Sequence, residues 1–63
     1  MVYAVTMSRH KDAKRYVLAE CSTVREAKKS LAYISNSYLK YVYNSKWELI
    51  SAYSPVFKVW NNR

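Results

Sequence analysis

Alternation dominates both ends of this chain, and a helical spacing interrupts it once. Residues 2–8 are β-branched and aromatic-rich and predict a strand. The polar, basic run 9–15 reads as a hairpin loop, with its turn at residues 10–13. Residues 16–22 predict the returning strand, with Val17, Ala19 and Cys21 on one face and Tyr16, Leu18 and Glu20 on the other. Thr23 then stands three residues before Glu26, the spacing of a capping box in which each side chain meets the other residue's free backbone N–H. Val24, Ala27, Leu31 and Ile34 follow at spacings of three, four and three, one apolar stripe of a helix, with Arg25, Lys28 and Lys29 facing away.

The helix has two possible ends. Tyr38 and Tyr41 continue the stripe and allow a helix over 23–43, which would give a ββαβ chain. Ser35-Asn36-Ser37 favours the earlier stop, because without glycine an asparagine is the best left-handed C-cap. Residues 38–43 are then a strand, rich in Tyr and Val. Asn44-Ser45 predicts a turn, 47–53 a strand, Ser54-Pro55 a turn and 56–60 a last strand. Along that last strand Phe57 and Val59 alternate with Lys58, which places Phe57 in the core. The expected fold class is α+β: an antiparallel sheet of four to five strands in ββαβββ order, with one helix packed on one face.

That arrangement leaves a face uncovered. A helix of about 12 residues is roughly 18 Å long, and five strands make a sheet roughly 20 Å wide. One helix covers one face, and the other must be solvated, curl on itself or meet a partner. In the fourth strand Trp47, Leu49 and Tyr53 share one parity and Ile50 and Ala52 the other. Tyr or Trp side chains therefore fall on the open side under either assignment.

Composition narrows the function. At 63 residues the chain has room for one domain, and a single Cys and a single His exclude an internal disulfide and an all-protein zinc site. With no glycine there is no Gly-rich phosphate loop. The longest wholly apolar stretches run four residues, far short of the roughly 20 needed to span a bilayer, so no membrane partner is expected. No signal-peptide pattern is readable, and one unpaired Cys fits a reducing compartment, so the expected location is the cytoplasm. The four acids form no spaced pair, His10 has only Asp12 to orient it, and Cys21 reads as a small core residue. No catalytic residue, metal or cofactor is expected.

The net charge of +7 is concentrated at the hairpin tip, Arg9, Lys11, Lys14 and Arg15, and on the helix at Lys28 and Lys29. Such groups contact phosphates or acidic surfaces; as a bland alternative they simply solvate a turn and a helix face. Tyr16, Tyr41, Trp47 and Tyr53 are the candidate aromatic contacts, since exposed rings among cations supply interface area or stack on bases.

The run Ala19-Glu20-Cys21-Ser22-Thr23-Val24-Arg25-Glu26-Ala27-Lys28-Lys29-Ser30-Leu31-Ala32, followed by a Trp-containing strand and Lys58-Val59-Trp60, resembles a type I-F anti-CRISPR family of small phage proteins with a ββαβββ layout. The resemblance implies binding to the backbone subunits of a CRISPR surveillance complex, with Lys28 and Lys29 as first contacts. The chain departs from that family in lacking its glycine turns and in the composition of its first loop. Three function classes follow. The first is a non-enzymatic phage or mobile-element inhibitor that occupies a host protein or nucleoprotein. The second is a direct DNA- or RNA-binding module, and the third a homodimeric structural protein.

Overall fold

A computed structural model describes residues 1–8 and 14–62. The elements run β1 (Val2–Met7), β2 (Tyr16–Cys21), α1 (Val24–Leu31), β3 (Leu39–Asn44), β4 (Leu49–Ser54) and β5 (Val59–Asn62). The fold is α+β in ββαβββ order, with one five-stranded sheet ordered β2-β1-β3-β4-β5 and every pairing antiparallel. The first turn, at 10–13, and the basic residues Arg9 and Lys11 lie outside the described residues.

The helix starts where the cap is. Thr23 is extended (φ −133°, ψ 158°), and its hydroxyl accepts the Glu26 backbone N–H at 3.2 Å. It ends at Ala32, whose N–H is shared between the carbonyls of Lys28 (3.1 Å) and Lys29 (3.2 Å). The serines on either side of Asn36 then build the turn that replaces the next helical one. The Ser35 and Ser37 hydroxyls lie 2.9 Å apart, and the Ser37 N–H donates to Ser35 Oγ at 3.2 Å. The early stop is thus formed and the 23–43 helix is not. Asn36 is not a left-handed cap, however: the positive φ angles among the described residues belong to Trp47 (61°) and Lys58 (56°).

The core lies between α1 and the first three strands. Ala27 and Leu31 are fully buried against Val2, Ala4, Cys21 and Val42. Val24 packs at the margin of the helix stripe, and Ile34, beyond the helix end, packs against the same core. At eight residues α1 is about 12 Å long, shorter than expected. It packs across β1, β2 and β3 and stops short of β4 and β5, so a single helix does not cover a whole face.

Two bulges revise the expected face assignments. Ala4 pairs with Ala19 but Val5 with Val17, so Leu18 is an extra residue; it packs against the core alongside Ala19, while Val17 crosses to the far face. Likewise Val42 pairs with Ser51 but Tyr43 with Leu49, which makes Ile50 extra and puts Leu49 and Tyr53 on opposite faces. The last hairpin is corrected too. The strand is Val59–Asn62 rather than 56–60, and residues 55–58 form its loop. Ser54 Oγ accepts the Phe57 N–H at 3.4 Å, and left-handed Lys58 returns the chain. Phe57 therefore sits on the loop, 77% exposed, and Trp60 takes the packed position opposite Tyr53.

These burials predict a sharp contrast. Leu31→Ala should cost about 2–5 kcal/mol, enough to unfold much of so small a protein. Phe57→Ser should change stability by less than about 0.5 kcal/mol. Urea unfolding followed by circular dichroism measures both; a large loss in the Phe57 variant would put that ring back in the core.

Candidate binding surfaces

The sheet face away from α1 carries a row of rings. Tyr3 and Tyr43 are register partners on β1 and β3, and Tyr41 stands two residues from Tyr43 on the same side. Trp47 is not in a strand, as its alternation suggested, but in the β3–β4 loop. Asn44 builds that loop. Its Oδ1 accepts the N–H groups of Lys46 and Glu48, each at 2.9 Å, and its Nδ2 donates to Glu48 Oε1 at 3.0 Å. The Trp47 N–H donates to the Asn44 carbonyl at 3.0 Å. A left-handed backbone costs a tryptophan on the order of 1–2 kcal/mol, and here it folds the indole back over the sheet. The indole stacks on Tyr3 (centroids 4.9 Å, planes 29° apart) and tilts against Tyr43 at 5.5 Å.

Arg15 completes this face. Its guanidinium carbon lies 5.4 Å from the Tyr43 ring centre and 5.2 Å from that of Trp47, within cation–π range. Beneath the row, Val5 is fully buried between its register partners Val17 and Tyr41. Trp47 remains 43% exposed and Arg15 is exposed, so the stack presents a ring and a cation outwards.

A second surface lies on the helix side, over the strands α1 does not reach. Lys28, on α1, turns towards β5. Its Nζ donates to Asn62 Oδ1 at 3.1 Å and stands 5.5 Å from the Trp60 ring centre. Ser51 Oγ lies 2.9 Å from the same Asn62 oxygen and 3.1 Å from the Asn61 carbonyl. Lys40, on β3, is only 5% exposed; its Nζ donates to Asn36 Oδ1 at 2.9 Å and stands 4.9 Å from the Tyr53 ring centre. Tyr53 and Trp60 tilt against each other at 5.3 Å. Burial pushes the Lys40 ammonium below the ordinary lysine pKa.

The expected site residues are therefore divided. Arg15, Tyr41 and Trp47 share the open face, whereas Lys28 and Tyr53 lie on the helix side. Lys29 leaves Lys28 and lines a shallow depression with Cys21, Glu26, Ser30 and Tyr33. Lys14 and Tyr16 are exposed near the start of β2. Tyr3, Tyr43, Lys40 and Trp60 complete the two surfaces and were not among the candidates. Tyr43 was marked by its two-residue spacing from Tyr41, and Lys40 by sharing the core parity of Val42. Tyr3 and Trp60 gain their roles from pairings that no local pattern announces.

Comparison with protein-family models, curated proteins and solved structures finds no match for this chain.

Two outcomes are expected. Asn44→Ala, which strips two backbone N–H groups of their acceptor, should lower the unfolding free energy by about 1–2 kcal/mol in urea titrations. For Lys40, the folded state holds its proton less tightly than the unfolded chain. Its contribution to stability therefore rises with pH through the window ending near the ordinary lysine value of about 10.4. The measurement is the difference between the wild type and Lys40→Met, which isolates this one group; a difference flat up to pH ~10 would contradict it.

Proposed function

We propose that this chain is a small, basic, non-enzymatic binding protein that uses its open sheet face to occupy a host nucleoprotein. The Tyr3–Trp47–Tyr43 stack with Arg15 upon it carries this reading. Rings held in advance lose little entropy on contact, which favours an interface. The net charge of +7 favours a partner that displays phosphates or carboxylates, and a nucleoprotein displays both. Following the family resemblance, the role is that of a phage or mobile-element inhibitor and the partner a CRISPR surveillance complex, its nucleic-acid groove filled by protein; the contacts, however, are those of the open face and not Lys28 and Lys29, which that resemblance implies and which lie away from it.

A second reading has its own support. A guanidinium beside a partly exposed indole is an arrangement on which an unpaired base stacks while its phosphate meets the cation, so single-stranded DNA or RNA would fit the same row.

The deciding experiment is a pull-down from nuclease-treated lysate of the native cell, run beside gel shifts of labelled single strands at low and moderate salt. The expected result is one specific protein assembly retained by the wild type and lost by Trp47→Ala and Arg15→Ala, each shown to be folded. Retention unaffected by either change would remove the open face from the function. A salt-sensitive shift of the free strand, with no protein retained, would assign the second reading instead.

A further inference from the structure

The helix-side surface contains a cleft that the proposed function does not use. It has a volume of about 250 Å³ and lies between the C-terminal end of α1, at Leu31 and Ala32, and strands β3–β5, lined also by Lys28, Asn36, Lys40, Tyr53 and Trp60. That is below the roughly 300 Å³ at which typical ligand pockets begin, so its occupant is small.

Its chemistry is one-sided. Among the described residues, two ammonium groups line the cleft and no carboxylate does. Each donates to a neutral amide oxygen, Lys28 to Asn62 Oδ1 and Lys40 to Asn36 Oδ1. An ammonium has three N–H donors, so each amine keeps capacity for a further acceptor. Lys40 is the telling member. Burying a cation is costly unless it is paired with an anion, and a buried lysine beside a cavity is held at a cost that an incoming anion would offset. Ring faces of Tyr53 and Trp60 fix both amines by cation–π contact and also form an apolar wall.

We propose that this cleft is a binding site for a small phosphate monoester, its dianion held between the Lys28 and Lys40 ammoniums and its organic part against Tyr53 and Trp60. Two lysines without an arginine fork suit a compact dianion approached as a pair of point charges. The site faces away from the aromatic row and does not depend on it.

The test is a titration of the full chain with inorganic phosphate, phenyl phosphate and benzoate at constant ionic strength, followed by NMR. Expected are saturable shifts confined to the Trp60 indole N–H, the side-chain amides of Asn36 and Asn62, and the neighbouring backbone. Phenyl phosphate should bind tighter than inorganic phosphate, and benzoate more weakly than either. Lys28→Gln and Lys40→Gln should each weaken phenyl phosphate by at least about tenfold. Should Lys40→Gln not fold, Lys28→Gln, on the helix surface, carries the test alone. Shifts of equal size around Arg25 and Lys29 would show general surface attraction and overturn the proposal. So would undiminished binding by a folded Lys28→Gln variant. Benzoate binding as tightly as phenyl phosphate would assign a carboxylate and overturn the phosphate.

Discussion

The close approach of Ala27 and Leu31 to Ala4 and Val42 is the contact on which the rest depends. An alanine on the helix and an alanine on β1, both fully buried in this cluster, let the helix backbone come near the sheet, and one fully buried leucine fills the remaining space. That is a small core for a chain with no disulfide to assist it. It anchors three strands and leaves the remaining two to be held by their own pairing and by side chains that are partly polar. The buried hydroxyls are satisfied: on β1 Thr6 Oγ1 donates to the Leu39 carbonyl at 3.0 Å, and on β4 Ser51 reaches the end of β5. Among the described residues no buried side-chain nitrogen or oxygen lacks a partner.

The short helix explains why the molecule has two surfaces of contrasting kind. On the far side of the sheet nothing from α1 intervenes, and tyrosines on β1 and β3 fill the face with their own rings, closed over by Trp47. On the near side the helix ends before β4, and long lysine side chains reach across what it leaves. Their stems cover apolar area while their amines meet amide oxygens and ring faces. Cations thus substitute on one side for the packing that aromatics provide on the other.

Much of the fold was legible because local chemistry decided it. Thr23 marks the helix start, the serines around Asn36 mark its end, and Asn44 organises the turn expected of it. What was not legible depends on partners distant in sequence. A bulge is a mismatch between two strands, so neither strand alone reveals that Leu18 and Ile50 are extra, and every parity beyond them is then misjudged. Phe57 was misplaced for a related reason: the hydroxyl of Ser54 and the left-handed Lys58 extend the turn at Pro55 through residues 56–58, which alternation reads as strand. The candidate cations were all visible in the sequence, but not their division between faces. That division follows from which side of α1 each of Lys28 and Lys29 leaves, and from Arg15 lying over the rings of the opposite face.

The strand order β2-β1-β3-β4-β5 also sets a schedule. Strand β1 is made first but lies second in the sheet, and its longer ladder joins residues 2–7 to 39–44. Closing so long a loop costs entropy before the pairing returns any, so β1 must wait for its longer ladder until β3 exists. During synthesis the β1–β2 hairpin would meanwhile leave a hydrogen-bonding edge open, beside the alanines that α1 later covers. The capped helix, made next and stable only against that hairpin, covers the alanine face while the edge waits for β3 to occupy it.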